Sequence, residues 1–352
     1  MLHFIVLFFT PIFCTVRDDS PNQSDYLNFA DKDNYIDKSL LIENFIRSKH
    51  KDRVVIAPSG YGKTTNLQML EAFFQDPTDA DEFLIKDPQQ TIAYGKFEGL
   101  KISKISVAKK HFGKYRVVYF KFGSLIRFDD FDGFIKIFRP MIQGLFCQNY
   151  RYLGTDSDSP LGVSLVEDCM SSKSKPETLK SCGAVLTQLL RLHSNKECVV
   201  LIDDFDAPYQ YMTNNPTEKL NENVKKIEGF LGGFIQFLTK DNDCVGKSYV
   251  TGTKDVGERF KNHTDHFVHE SIFMNNDLLK FYGFSHKDVD RLAEVYELDE
   301  KEKNKLQMSP KVQKVSFLNE TIAVFNPRVV MQYLNESLAE KNKRKKTRKL
   351  YR

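Results

Sequence analysis

The 352-residue chain is 41% hydrophobic and 28% charged, a balance that excludes disorder as its main state. Twenty-nine Phe and 15 Tyr supply apolar mass for a large core, while a mean hydropathy of −0.42 excludes a polytopic membrane protein. Residues 341–352 hold eight Lys/Arg and no acid; removing those eight from the net charge of +4 leaves −4 for the rest, so a mildly acidic body carries a basic tail.

At the N-terminus, the apolar run Leu2 to Cys14 is broken by Thr10 and Pro11 and falls short of the roughly 20 residues a membrane span needs. No transmembrane span is expected. The run does have the length of a signal-peptide core, and a polar stretch follows from Arg17 to Asn22. Residues 1–15 are therefore expected to be a signal peptide leading to secretion or the endoplasmic reticulum lumen, with 16–30 as a linker. The alternative is a disordered N-terminus on a cytoplasmic or nuclear protein. Four N-x-[ST] sequons, at Asn22, Asn262, Asn319 and Asn335, fit the secretory route but are frequent by chance. Without Cys14, five widely spaced cysteines remain and form no CxxC pair, which argues against a disulfide framework and against structural zinc.

Tyr35 to Ile46 has helical apolar spacing after Asp37, and Arg53 to Ala57 (RVVIA) is a short β-branched strand. A glycine-containing loop comes next, and Asn66 to Phe74 resumes an amphipathic helix. Residues 76–96 read as a loop or insertion, followed by a strand from Tyr115 to Phe122 and a helix from Phe131 to Tyr152 that tolerates Pro140. Asp156 to Pro176, rich in Ser, Asp, Pro and Lys, marks a surface connection. A helix over Leu179 to His193 leads to the wholly apolar strand Cys198 to Ile202. Apolar runs without alternation suggest strands covered on both faces, as in parallel sheets. Ile227 to Leu238 is a further helix and Ser248 to Gly252 a further strand, which completes an α/β order. Beyond Phe281 the chain reads as helical, with candidates at His286 to Val295, Glu300 to Leu306 and Arg328 to Ala339.

A phosphate-binding loop needs glycines so that backbone N–H groups converge on an anion, a lysine for the β- and γ-phosphates, and a hydroxyl for Mg2+. Ser59-Gly60-Tyr61-Gly62-Lys63-Thr64-Thr65 supplies all three between a strand and a helix, although Ala57 stands where the strict pattern has its first glycine. A second element, Val199-Val200-Leu201-Ile202-Asp203-Asp204-Phe205-Asp206, is an apolar strand ending in acids. Asp203 is placed to hold the shell of Mg2+ and Asp204 to act as base toward water. Without a cation, three carboxylates in four residues would repel one another. Thr251, Thr253 and Lys254 follow the next strand, where Thr251 or Lys254 is a candidate for contacting the γ-phosphate; a capped strand end is the plain alternative. A metal site built from His263, His266 and His269 is rejected because no Cys completes the set.

These residues, with Tyr35-Ile36-Asp37-Lys38-Ser39, Phe97-Glu98-Gly99-Leu100-Lys101-Ile102, Lys114-Tyr115-Arg116-Val117-Val118-Tyr119, Asp203-Asp204-Phe205-Asp206-Ala207-Pro208, Thr251-Gly252-Thr253, Phe281-Tyr282-Gly283-Phe284 and Phe325-Asn326-Pro327, resemble the predicted AAA-ATPase-like family of P-loop NTPases. The resemblance runs over about residues 28 to 340. It implies an additional-strand P-loop fold and binding of an adenine nucleotide. Two departures stand out: the family usually has glutamate where Asp204 is one methylene shorter, and longer relatives carry a C-terminal nuclease-like domain for which this sequence has no room.

The expected fold is thus α/β, a P-loop NTPase parallel sheet flanked by helices over residues 31–284, with a helical C-terminal portion over 285–340. The expected function is binding of ATP and Mg2+ with hydrolysis. The catalytic candidates are Lys63, Asp204 and Thr251, the nucleotide-binding candidates are Ser59 through Thr65, and the metal candidates are Thr64 and Asp203. A secreted binding or effector protein that has lost turnover is the rival. Arg259 and Arg328 are candidates for an arginine acting in trans, and the basic tail at 341–352 for an anionic partner or a solvated terminus.

Overall fold

The computed structural model describes residues 25–30, 32–76, 87–149, 153, 160–308, 312–317 and 320–350. The expected signal peptide and the linker up to residue 24 lie outside this set.

Five strands, β1 (Asp52–Ile56), β2 (Arg116–Lys121), β3 (Cys198–Asp203), β4 (Val245–Gly252) and β5 (Val268–Ser271), form an all-parallel sheet in the order β2-β3-β4-β1-β5. Strand β4 is inserted between β1 and β3. At about 4.8 Å per strand, the backbones of β1 and β3 stand roughly 10 Å apart across β4, a gap their side chains close. The four apolar runs read from sequence correspond to β1–β4. Strand β5 was not expected: its Val268-His269-Glu270-Ser271 is a half-exposed edge without an apolar run.

Alternation along the strands serves two cores. Val54, Val118, Phe120, Val200, Ile202 and Val250 join one core with helices α4 (Phe131–Asn149), α6 (Pro176–Ser194) and α8 (Glu218–Thr239). Val55, Val117, Tyr119, Val199, Leu201 and Tyr249 join the other with α1 (Leu40–Arg47) and α2 (Lys63–Phe74). Burying each such side chain is worth about 1.5–3 kcal/mol. On the first side the Phe residues interlock edge to face, Phe138 lying 4.9 Å from Phe230 and 5.0 Å from Phe234. Helix α4 continues through Pro140. Within the expected 76–96 loop, α3 (Ile92–Glu98) begins at Thr91, whose hydroxyl caps Tyr94 N–H.

The expected surface connection at 156–176 contains a helix, α5 (Pro160–Met170), where Val166 packs on the first core. Polar residues on both sides hide this short apolar stretch in the sequence. Cys169 of α5 is disulfide-bonded to Cys182 of α6, with Cα atoms 5.7 Å apart, a single bridge that the reading against a disulfide framework did not foresee. Two cysteines 13 residues apart form no motif; they meet because α5 and α6 fold back across residues 171–175. Cys147, Cys198 and Cys244 are not disulfide-bonded.

Beyond the sheet come α7 (Ala207–Asn214), which follows β3, then α9 (His286–Val295), α10 (Glu300–Gln307) and α11 (Pro327–Leu350). Capping boxes at Ser285/Asp288 and Asp299/Glu302 start α9 and α10. Between α10 and α11 lies an antiparallel hairpin, β6 (Val312–Phe317) with β7 (Glu320–Phe325), which corrects the reading of this portion as helices alone. Val315 and Val324 are buried there, a β-branched signal diluted by charged neighbours. A separate cluster of Ile36, Val289, Leu292, Leu306, Phe325, Val330 and Leu334 holds these elements together. Helix α11 crosses the boundary expected at residue 340 and carries the basic run to Leu350. Among the described residues, no helix is long and apolar enough to cross a membrane.

Candidate functional site

The loop after β1 is anchored by Ala57 N–H, which donates to Gly252 O of β4 at 2.9 Å. Gly60 and Gly62 both have φ of +85°, a conformation that side chains with a Cβ disfavour. Gly62 is the N-cap of α2 and offers no side chain, so the N–H groups of the helix's first turn lack a side-chain cap and face the loop's concave side. At Gly60 a Cβ would fall 2.5 Å from Asn326 Oδ1, because the start of α11 presses on the loop. There Asn326 Nδ2 donates to Ser59 O (2.9 Å), Arg328 N to Gly60 O (3.3 Å), and Arg328 Nη1 to Ser59 Oγ (3.3 Å).

Lys63, the first residue of α2, is buried with its Nζ donating to Ala57 O and to Thr253 Oγ, both at 3.0 Å. An ammonium has three donors, and the third lies on the side of Asp204, whose Oδ1 is 3.9 Å away. Thr64 Oγ donates to Asp203 Oδ2 at 2.6 Å. Asp203 also accepts from Thr251 Oγ (2.6 Å), Asp204 N (3.1 Å) and Tyr119 OH (3.4 Å). Burial and the neighbouring Asp203 charge push the Tyr119 phenol up, which keeps it a donor.

Asp204 has φ of +50° and a side chain 40% exposed on the cleft. Burial first, and then the charge of Asp203, raise its carboxyl above the ordinary range, while Lys63 opposes the shift. Asp206 behaves differently from its neighbours. It is fully buried and accepts from Thr253 N (3.0 Å) and Lys254 N (2.8 Å), with Gln210 Nε2 also on its carboxylate. The expected repulsion among the three acids is felt at Asp204, which the charges of both Asp203 and Asp206 help to raise, while Asp203 and Asp206 are tied into the strand ends by hydrogen bonds. Sequence reading missed the anchoring role of Asp206. Backbone donors leave no residue signature.

These groups border a cleft of about 640 Å³. Ser59, Gly60, Gly62, Lys63, Thr64, Thr65 and Asp204 line it, joined by Thr253, Arg328 and Met331 and by Gln210, Tyr211 and Asn214 of α7. Two sequence candidates stand elsewhere. The Tyr61 ring is buried, edge-on to Phe273 at 5.5 Å, so only its backbone belongs to the loop. Thr251 is fully buried with its hydroxyl on Asp203, whereas Thr253, two residues on, reaches Lys63 and lines the cleft. Arg328 lines the cleft of its own chain. Arg259 instead pairs with Glu228 and with Thr213 Oγ at 3.0 Å, its guanidinium over the Tyr209 ring. His266 Nε2 bonds to Thr239 Oγ at 2.8 Å, a packing role.

The residues fit Mg2+. Thr64, which lines the cleft, and Asp203 Oδ2, bonded to it, form a hard-oxygen pair, and this ion commonly takes one or two protein oxygens, with phosphates and water completing the octahedron. Among the described residues no group of three or more His, Cys, Asp or Glu is arranged as an all-protein metal cage.

Comparison with curated proteins and with solved structures returned no match. A family model described as predicted AAA-ATPase matches residues 24–259, about two-thirds of the chain, spanning the glycine loop, the acids of β3 and the end of β4. With that match over the same loop and acids that meet in the cleft, the chain belongs to the predicted AAA-ATPase family.

Proposed function

We propose that the chain binds ATP with Mg2+ in this cleft and hydrolyses it. The observation that carries the reading is the meeting of an uncapped glycine loop, Lys63, Thr64 and Asp204 in one cleft, with Asp203 bonded to Thr64, on a sheet with β4 between β1 and β3. This is the arrangement expected of an additional-strand P-loop NTPase. Loop N–H groups and the third Lys63 donor receive β- and γ-phosphate oxygens. Thr64 would hold Mg2+ directly and Asp203 through water; the bound ion neutralises charge on the phosphates. Asp204 takes a proton from water as the water oxygen bonds to the γ-phosphorus and the bond to the ADP oxygen breaks, then returns the proton to solvent. Arg328 adds positive charge beside Ser59.

The test is calorimetric binding of ATP and of a non-hydrolysable analogue, beside Mg2+-dependent phosphate release. Lys63→Ala removes charge-assisted bonds worth about 1.5–3 kcal/mol each, so affinity is expected to drop roughly tenfold or more with circular dichroism unchanged. Unchanged affinity would overturn the reading. Binding without release would favour the rival, a non-hydrolysing binding protein, for which the short and left-handed Asp204 is the supporting feature.

We also propose the secretory route. The Cys169–Cys182 bond supports it, because disulfides persist in oxidising compartments. Expression in eukaryotic cells is expected to yield protein cut near residues 14–16; an intact Met1 on cytosolic protein would overturn it.

A further inference from the structure

Charge is unevenly spread over the body of the chain. Residues 47–51 hold three Lys/Arg and residues 101–114 five Lys, with no acid in either; removing these eight from the −4 outside the tail leaves −12 for the rest. The fold brings the two segments together. Lys101 N and Ile102 N donate to Asp37 Oδ2 (2.8 Å) and Ser39 Oγ (3.1 Å) just before α1, and the chain then runs beside that helix through two single helical turns, Lys101–Lys104 and Ser106–Lys109. It arrives at the other end of α1. There burial first, and then the charges of Lys247 and Lys110, lower the pKa of His111, and Lys247 Nζ donates to Ser48 O just past the helix. The eight residues of α1 make this track about 12 Å long.

Lys49, Lys104, Lys109 and Lys110 are exposed and, among the described residues, bonded to no acid. Arg47 is matched by Glu43, and Lys51 Nζ donates to Asn242 O. Unpaired like charges along one track repel one another and attract an extended polyanion. The end of α1 leads into Asp52 at the start of β1, whereas the cleft lies past the strand's other end, so an occupant of the track leaves the cleft free.

The surroundings decide which polyanion fits. Ile102, Ala108 and Phe112 are buried and Ile105 packs on the same core, so the segment turns its apolar side chains inward and away from any bilayer. Phe112 is buried, and Tyr115 is stacked on His111 with its hydroxyl on Nδ1, so these rings are engaged and give bases no platform. Residues 101–114 contain no arginine, the residue that grips phosphate in two-point contacts. Lysine point charges instead suit a flexible chain of single anionic groups.

We propose that this track binds a sulfated polysaccharide, whose sulfates pair with Lys49, Lys104, Lys109 and Lys110. The choice of this polyanion rests on the secretory reading; the charge and geometry of the track do not.

The test is calorimetric titration of the full chain with heparin between 50 and 200 mM NaCl. The track variant is K49Q/K104Q/K109Q/K110Q, and the control K345Q/K346Q/R348Q/K349Q removes as many charges from the basic tail. The track variant is expected to bind at least about tenfold more weakly, with a shallower salt dependence and with circular dichroism and ATP affinity as in the parent. The control is expected to lose less, and fully desulfated heparin to bind the parent weakly. The proposal is overturned if the parent does not bind, if the track variant matches it, if the control loses more than the track variant, if desulfated heparin binds as well, or if a DNA duplex or phosphatidylserine vesicles bind more tightly than heparin. Cleavage near residues 14–16 is scored separately by mass. Heparin binding by a chain that keeps Met1 would overturn the secretory reading alone, and cleavage without heparin binding would overturn the proposal alone.

Discussion

Gly60 and Gly62 offer a controlled comparison, because both have φ of +85° but only Gly60 is crowded. An alanine at either position costs about 1–2 kcal/mol for left-handed backbone. At Gly62 nothing lies within 4 Å of the added Cβ, so that is the whole expected cost. At Gly60 the Cβ would meet Asn326 Oδ1 at 2.5 Å and Arg328 Cβ at 2.9 Å, and the amide must swing away and give up its 2.9 Å bond to Ser59 O. That loss adds about 0.5–1.5 kcal/mol. Gly60→Ala is thus expected to destabilise by about 2–3 kcal/mol, roughly 1 kcal/mol more than Gly62→Ala. Asn326→Ala should be costly alone and nearly free in the Gly60→Ala background, a coupling of about 1 kcal/mol. Urea denaturation followed by circular dichroism and tyrosine fluorescence measures all four variants. Equal costs at the two glycines, or strict additivity of Gly60→Ala with Asn326→Ala, would refute the contact between α11 and the loop.

Because Asp204 has a raised carboxyl pKa and is needed deprotonated, phosphate release should fall as pH drops through a value above the ordinary carboxylate range; a rate profile still flat at pH 4 would contradict this. The folded state holds that proton more tightly than the unfolded chain does, so the contribution of Asp204 to stability declines as pH rises through the folded pKa; Asp204→Asn should abolish release yet be at least as stable as the parent at pH 7, as read by urea midpoint. Asp204→Glu should extend the carboxylate toward the attacking water and raise turnover, which steady-state phosphate release decides. Asp206→Asn leaves one buried N–H facing an amide and should cost about 1–3 kcal/mol in denaturant titrations, where a loss below 0.5 would show the anchor to be dispensable. Breaking Cys169–Cys182 by double serine substitution reopens a loop of 13 residues and should cost about 3 kcal/mol by the same measurement.

The sheet was legible where burial on both faces enforced uninterrupted apolar runs, as in Val199 to Ile202, and the glycine loop was legible because its chemistry tolerates few residue types. What escaped depended on contacts between distant segments. The hairpin of β6 and β7 sits among charged residues, so its few buried positions gave too short a pattern. Cys169 and Cys182 became neighbours through a helix turn that spacing does not encode. Thr251 and Thr253 look equivalent as letters, but Thr251 lies within β4 with its hydroxyl on Asp203, whereas Thr253 lies past the strand's end at Gly252 and meets Lys63. Arg328, more than 260 residues from Ser59, enters the cleft only because Phe284 and Phe325 pair backbone to backbone and carry the start of α11 to the loop.

The two walls of the cleft are unequally stiff. On the strand-end wall, Asp203 and Asp206 are buried and between them accept hydrogen bonds from β2, α2, β4 and the segment after β4, so the spacing from the acids to Thr253 is set before any ligand arrives. The opposite wall is fastened to the loop through exposed contacts, two of them at 3.3 Å, from Arg328 and Asn326. A ligand that needs room will therefore displace the beginning of α11 and leave the acids where they stand. The cleft works like a vice with one fixed jaw, and its travel passes into the single helix that runs from Pro327 to Leu350.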